Sequence, residues 1–267
     1  MKRERLKLSG IVMALTALAA LTMTSCRKPD GEMLTVKRYE YQKTVKAVAN
    51  RPQQMSIDMS VEFPTECAYS DNLENLQNFI MRTLFAEEID SSLISIDTSV
   101  SKALKTRAEH LARTYVEDNS FAITDEYAEE QEMTLYFDAE YTLNAQVESV
   151  TDDDIMSYGV HTYNYYGGAH GLATSEYYAI NLKTGETVTQ AMLFDNLTET
   201  QLSELLLAAL TEQSNMTREE LEERGYDLSY VEGNDNFYLK GDSVYFYFNP
   251  YEIAPYSEGG ITIALGR

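Results

Sequence analysis

The strongest secondary-structure signal in the sequence is the stretch Met133-Thr134-Leu135-Tyr136-Phe137-Asp138-Ala139-Glu140-Tyr141-Thr142-Leu143-Asn144-Ala145-Gln146-Val147. Apolar or aromatic residues occupy every second position from Met133 to Val147, as in a β-strand whose two faces meet different environments. The pattern predicts a long central antiparallel strand with one buried face. The acidic run at 151–154 then predicts a turn, and 155–166 is expected to be the partner strand.

Other parts of the chain alternate between strand and helix periodicity. Period-two alternation predicts further strands over 33–48, 55–63, 175–182, 236–240, 244–248 and 261–265. Helical spacing and capping residues predict helices that begin near Ser70, after Asp97, near Thr198 and at Arg218. We therefore expect an α+β fold with antiparallel sheets, helices packed on one face, and two intimately associated halves, 34–152 and 153–267.

The N-terminus has the pattern of an exported lipoprotein. Four basic residues precede an apolar segment, 11–21, that is too short to span a bilayer. Small residues then lead to Cys26, as a lipoprotein signal peptidase requires. We expect 1–25 to be a signal peptide, Cys26 to carry the lipid that anchors the protein to the membrane, and 26–33 to be a tether. The body would then lie in the cell envelope outside the cytoplasm, on the periplasmic or outer-membrane face. An ordinary secretory peptide or an uncleaved anchor helix is the alternative.

The amino-acid composition of the chain limits the classes of binding partner that we expect. The net charge of −22 disfavours nucleic acid and anionic lipid as partners and would attract cationic ones, although it also serves solubility alone. The chain has twenty tyrosines and no tryptophan, and tyrosine suits half-exposed sheets and contact surfaces for carbohydrate or protein. With Cys26 lipidated, Cys67 has no second cysteine for a disulfide.

Motifs for metal or cofactor chemistry are absent from the sequence. His110, His161 and His170 belong to no metal-ligand pattern, and the acidic turns at 152–154 and 232–236 lack the ligand spacing of a calcium loop. The chain has no phosphate-binding glycine loop and no Gly-x-Ser-x-Gly elbow. We therefore expect no metal and no cofactor.

One aromatic and glycine-rich stretch stands out, Tyr163-Asn164-Tyr165-Tyr166-Gly167-Gly168-Ala169-His170-Gly171. Its three glycines permit positive φ angles or close backbone approach, so His170 would be presented at a fixed angle. The stretch is interpreted either as a structural bulge or as a recognition loop. In the second interpretation the candidate binding residues are Tyr163, Tyr165, Tyr166 and His170.

Three ordered motifs carry a family resemblance. They are the stretch 165–171, the pair 181–185 with 193–194, and Phe248-Asn249-Pro250-Tyr251-Glu252-Ile253-Ala254-Pro255-Tyr256-Ser257-Glu258-Gly259-Gly260. Over about 155–265 the chain resembles the extracytoplasmic domain of RsiV-type proteins, a domain of otherwise unknown function. The resemblance implies a single compact α+β body and, as in RsiV itself, an outer domain that binds lysozyme. Anti-sigma activity is not expected, because only ten residues precede Ile11 and a lipobox stands where the transmembrane helix would be.

Together these patterns predict a non-catalytic, lipid-anchored envelope binding module. Its partner would be lysozyme or another cationic protein, or the cell-wall glycan of peptidoglycan. The alternative is a hydrolase acting on envelope polymers, with His170 as base and Asp154 or Glu176 as the acid. A purely architectural role in the envelope is a third interpretation.

Overall fold

The structure, a computed structural model, describes residues 23–28, 31–47, 52–86, 96–120 and 137–267. The predicted signal peptide lies outside these residues except for its last three positions. The predicted tether, 26–33, contributes to the first strand and to the start of the second, and Cys26 pairs with Leu34. None of the helices within the described ranges is long and apolar enough to cross a membrane.

Within the described ranges, ten strands form two sheets. The first sheet has seven strands in sequential order, β1 Met23–Lys28, β2 Gly31–Val45, β3 Met55–Cys67, β4 Ala139–Val150, β5 Ile155–Tyr165, β6 Leu172–Asn181 and β7 Thr187–Val188. The second has three, in the order β10-β9-β8, with β8 Phe237–Lys240, β9 Ser243–Phe248 and β10 Ile261–Gly266. The helices are α1 Leu73–Phe85, α2 Ile96–Ser120, α3 Gln190–Leu193, α4 Glu199–Ser214 and α5 Arg218–Glu223. The mixture of strands and helices confirms the α+β class.

The strand predicted from the stretch 133–147 is β4. It was expected to pair antiparallel with its neighbours, and this is correct on only one side. β4 pairs antiparallel with β5 and parallel with β3, with Met55 opposite Ala139 and Val61 opposite Ala145. The reason is the connection: α1 and α2 lie between β3 and β4, and such a crossover returns the chain to the end of the sheet where β3 began. Residues 133–136 of the predicted strand lie outside the described residues.

The two faces of the seven-stranded sheet differ. On one face, α1 and α2 cover a core that includes Met59, Phe63, Ile80, Leu104 and Tyr158. On the other face, the second sheet packs through β8 against the ends of β4, β5 and β6, and α4 closes a second core. The seven-stranded sheet continues past the predicted boundary at 153 to β7, so both halves share it.

The uncovered part of this second face lies on β2, β3 and β4. Polar side chains occupy it, because alternate residues of each strand point away from the core. Among the described residues, the second sheet therefore stands beside a largely half-buried polar floor rather than covering the whole face.

Candidate functional site

A row of polar side chains crosses five neighbouring strands on the uncovered face. Cross-strand pairing aligns Ser60 with Asn144, Asn144 with His161, and His161 with Ser175, and directly opposed residues point to the same face. We call this set the polar row; its members are Arg38, Ser60, Asn144, Gln146, Glu148, His161 and Ser175. Adjacent members are joined by hydrogen bonds.

The first end of the polar row is built around Arg38. Its Nη2 donates to Oγ of Ser60 at 2.9 Å, and that hydroxyl donates to Oδ1 of Asn144 at 2.8 Å. Arg38 also pairs with Glu40 at 3.0 Å and lies 3.8 Å from Glu62. The single guanidinium is therefore neutralised by two carboxylates, and this end carries no free positive charge.

The second end of the polar row is a carboxylate, an imidazole and a hydroxyl in contact. Asn144 Nδ2 donates to Gln146 at 3.2 Å, and Gln146 Nε2 donates to Oε1 of Glu148 at 3.0 Å. Nε2 of His161 lies 2.8 Å from the same Glu148 oxygen, and Nδ1 of His161 lies 2.9 Å from Oγ of Ser175. All three terminal side chains are partly exposed.

Local backbone features place Glu148 in this position. The register of β4 against β5 shifts between Val147 and Ser149, so Glu148 is the extra residue of a bulge, a feature that re-aims a side chain. Across the pair, a Cβ on Gly159 would lie 2.6 Å from Glu148 Oε1 and 2.8 Å from His161 Nε2. Only glycine leaves room there for the hydrogen-bonded pair. The hydrogen bond from His161 lowers the pKa of the Glu148 carboxyl.

A shallow cavity of about 350 Å³ lies over the first end of the polar row. Residues of β2, β3 and β4 line it, among them Arg38, Glu40, Gln42, Asp58, Ser60 and Asn144. Thr142 also lines it, and Tyr163 is the cross-strand partner of Thr142 on β5. The cavity therefore presents carboxylate, amide and hydroxyl groups from β2, β3 and β4.

The second sheet turns a series of tyrosine rings toward the polar row. Tyr238 and Tyr245 are stacked with centroids 4.8 Å apart and an interplanar angle of 3°. Tyr177 of β6 lies 4.8 Å from Tyr238 and 5.5 Å from Tyr247, and its ring meets His161 edge-on at 5.5 Å. We call Tyr177, Tyr238, Tyr245 and Tyr247 the tyrosine ladder. All four rings are partly exposed.

Two hydroxyls of the tyrosine ladder, those of Tyr177 and Tyr238, stay protonated at neutral pH. Burial, followed by the charge of Glu148, raises the pKa of Tyr177 to about 12. Burial also raises the pKa of Tyr238. A protonated phenol both donates and accepts hydrogen bonds, so each ring offers an apolar face and a polar tip.

Two of the four predicted binding residues lie close together. The Tyr163 ring packs over Gly171, where a Cβ would come within 2.4 Å of the phenol. Exposed His170 stacks on Tyr256 with centroids 3.8 Å apart, and its Nε2 lies 3.5 Å from the Tyr251 hydroxyl. Tyr163 and His170 thus belong to one aromatic corner at the β5–β6 turn.

The other two predicted binding residues are directed elsewhere. The Tyr165 hydroxyl donates to the carbonyl of Gly168 at 3.2 Å, inside the turn itself. Tyr166 is 47% exposed, and its pKa is raised first by burial and then by Tyr141, whose ring belongs to the first core on the opposite face of the sheet. The four residues therefore do not form a single surface.

The motif around Asn249 connects the aromatic corner to the polar row. Asn249 Oδ1 accepts the Ser175 backbone N–H at 2.7 Å, and its Nδ2 donates to the Ser175 carbonyl at 3.2 Å. Asn236 donates to the same carbonyl at 3.0 Å. These amides take the place of a neighbouring strand along this part of β6, and they hold Ser175 beside His161.

The acid–base pair of the predicted hydrolase is not assembled around His170. Asp154 is buried and contacts the Tyr69 hydroxyl and Lys183, each at 2.8 Å. Glu176 accepts a hydrogen bond from Tyr178 at 2.6 Å. The carboxylate that does pair with a histidine is Glu148, and its partner is His161. Within the described part of the chain, no three His, Cys, Asp or Glu residues are grouped so that they could hold a metal ion.

Comparisons with known proteins give a family match for the C-terminal part. Residues 191–266, from α3 to β10, match the DUF3298 family, described as a protein of unknown function. A solved member of that family from Bacteroides fragilis has a TM-score of 0.67 and 18% identity, over 97% of this chain and 92% of its own. A DUF3298 family protein from Pseudomonas aeruginosa has a TM-score of 0.53 and 12% identity, over 86% and 90%. These likenesses show a shared fold. No curated protein gave a significant match.

Sequence reasoning missed the polar row and the tyrosine ladder. A signal for the ladder exists: Tyr238, Tyr245 and Tyr247 alternate with buried apolar residues along β8 and β9. The alternation over 133–147 predicts one buried face for the strand but assigns no role to the polar residues on its other face. Nothing in the linear spacing of Glu148, His161 and Ser175 indicates that the three side chains meet.

Proposed function

We propose that this chain is an envelope binding module, lipid-anchored through Cys26, whose ligand is a cell-wall glycan. The tyrosine ladder beside the polar row is the observation that carries the proposal. We also propose that about 155–265 is an RsiV-like extracytoplasmic domain; the DUF3298 match at 191–266 overlaps the C-terminal part of that range.

The chemistry of the surface suits a polysaccharide. A sugar ring has faces of C–H groups and a rim of hydroxyls, so it is bound by an aromatic face together with planar amides and carboxylates. The ladder supplies the rings, with Tyr238 and Tyr177 next to the polar floor. Asn144 and Gln146 supply amides, and the cavity of about 350 Å³ has the size of a small ligand site. An anchored envelope protein would meet such a polymer at high local concentration.

Binding to insoluble peptidoglycan tests the proposal. Tyr238→Ala should weaken binding about tenfold or more, because truncating a central aromatic contact commonly costs about 2 kcal/mol. Asn144→Ala should weaken it through loss of polar contacts on the floor. Tyr230→Ala is the matched control, since Tyr230 is 65% exposed in the turn Leu228–Tyr230. Equal binding by all three variants and the parent would refute the glycan site.

A second candidate partner is a cationic protein such as lysozyme. The observation that favours it is the net charge of −22, with exposed carboxylates such as Glu204, Glu212, Glu219 and Glu223 on α4 and α5. Charge complementarity speeds association and makes it sensitive to salt. Lysozyme binding that weakens with salt and is unaffected by Tyr238→Ala would favour this partner over glycan.

A further inference from the structure

We propose that Ser175, His161 and Glu148 form a catalytic centre that hydrolyses uncharged acyl esters, with Ser175 as nucleophile and His161 as base. This goes beyond glycan binding and assigns an activity to the second end of the polar row. It also moves the base of the predicted hydrolase from His170 to His161.

The hydrogen-bond directions follow from the groups in contact. Glu148 has a lowered pKa and is ionised at neutral pH, so its oxygen only accepts. Nε2 of His161, 2.8 Å away, must then carry the proton that it donates to Glu148. In a neutral imidazole the other nitrogen accepts, so Nδ1 accepts from the Ser175 hydroxyl at 2.9 Å. A hydroxyl hydrogen-bonded to a base that a carboxylate orients is the arrangement of a serine nucleophile.

The surroundings support this arrangement. The bulge at Glu148 and the bare Cα of Gly159 place the carboxylate beside the imidazole. Asn249 and Asn236 fix the backbone of Ser175 from the other side. Burial raises the pKa of the neighbouring Tyr177 hydroxyl to about 12, so this phenol is protonated at neutral pH and can donate a hydrogen bond.

The reaction balances without a cofactor. Ser175 Oγ forms a bond to the acyl carbon while its proton passes to Nδ1 of His161. The ester C–O bond then breaks, and the alcohol leaves with that proton. Water, deprotonated by His161, attacks the acyl-serine. The bond between the acyl carbon and Ser175 Oγ breaks, the carboxylic acid leaves, and His161 returns its proton to Oγ.

The charge of the site indicates the substrate class. Glu148, Glu62 and Glu40 lie along the polar row and repel an anionic acyl group. The tyrosine ladder and the floor fit a polyhydroxyl alcohol. An uncharged acyl group on a sugar hydroxyl satisfies both conditions.

The test uses the mature chain with 4-nitrophenyl acetate and with a fluorophosphonate probe. We expect ester hydrolysis and phosphonylation at Ser175, located by mass spectrometry of peptides. Ser175→Ala should abolish both, and His161→Gln should slow both about 100- to 10,000-fold. Glu148 acts through His161 as a positioning residue. Glu148→Gln should therefore slow hydrolysis and alter its pH–rate profile, with partial rescue by Glu148→Asp.

Controls separate catalysis from folding and from binding. Ser203→Ala, a half-buried position on α4 outside the polar row, should leave both readouts unchanged. Circular dichroism and thermal unfolding establish that each variant is folded, and Ser175→Ala should still bind glycan if the binding proposal holds. Absence of both reactions in the folded parent, or equal rates in Ser175→Ala, would overturn the catalytic proposal whatever the glycan result.

Discussion

Oε1 of Glu148 lies 2.8 Å from Nε2 of His161, with both side chains about one quarter exposed. The two residues are on neighbouring strands, and Glu148 is the unpaired residue of a bulge. A carboxylate held this way fixes the tautomer of the imidazole and leaves its other nitrogen to accept from Ser175. The pair is thus the junction between the polar row and the tyrosine ladder.

Gly159→Ala should break this pair. The added Cβ would lie 2.6 Å from Glu148 Oε1 and 2.8 Å from His161 Nε2, so both side-chain ends would have to move apart. Loss of a charge-assisted hydrogen bond should lower the free energy of unfolding by about 1–3 kcal/mol, measured by urea denaturation. Gly266→Ala is the control, because nothing lies within 4 Å of a Cβ there. Equal stability of the two variants would contradict the prediction.

The Glu148 carboxyl should make stability dependent on pH. Its pKa is lowered from 4.5, first by the hydrogen bond from His161. The folded state therefore favours the ionised form, and this contribution is present above pH 4.5 and is lost as the pH falls through the lowered pKa. We expect the difference in unfolding free energy between the parent and Glu148→Gln to shrink as the pH falls below 4.5. Glu222→Gln, exposed on α5, serves as control, and a difference independent of pH would refute the assignment.

Asn249→Ala should loosen β6 at Ser175. The backbone N–H of Ser175 would lose the Asn249 oxygen that accepts it at 2.7 Å. An unpaired, partly buried donor costs about 1–3 kcal/mol, so the variant should unfold at lower denaturant concentration. Hydrogen exchange at the Ser175 amide should accelerate, whereas exposed Asn196→Ala should leave it unchanged. Unaltered exchange in Asn249→Ala would show that another group holds this strand.

Cys26→Ser tests the predicted anchor. If the thiol is the predicted acceptor of the lipid, the variant should incorporate no labelled palmitate and should leave the membrane fraction. Cys67→Ser is the matched control, because Cys67 is a free, half-buried cysteine within β3. Labelling that persists in Cys26→Ser would contradict the lipoprotein interpretation.

Helix ends and turns could be predicted from the sequence because the residues that determine them are close neighbours in the chain. Thr198 caps α4 by accepting from the Gln201 backbone N–H, and Gly225 follows α5 with a φ of 90°. A turn at Gly241 joins β8 to β9 in the short gap between the two predicted strands, 236–240 and 244–248. The helix expected from Ser70 instead begins at Leu73, after a short 3-10 turn over Ser70–Asn72.

The candidate site did not follow from the sequence. The stretch 163–171 was the most conspicuous, and the structure brings together only Tyr163 and His170 of its four predicted residues. Glycines that stand out in a turn usually reflect the backbone conformation that the turn requires, and they do not by themselves indicate a binding site. The contacts of His161 instead come from two other strands, at sequence distances of 13 and 14 residues.

The sequence by itself determined the α+β class and the alternation of β4, because periodicity, capping and turn chemistry act over a few neighbouring residues. It also predicts the lipid anchor at Cys26 from an ordered local motif. Only the tertiary structure decided that β4 lies parallel to β3, that a bulge aims Glu148 at His161, and that Tyr177 meets Tyr238. These features depend on strand register and on the packing of one sheet against another. Both bring together residues far apart in the chain, and such contacts produce no repeating pattern in the sequence from which they could be predicted.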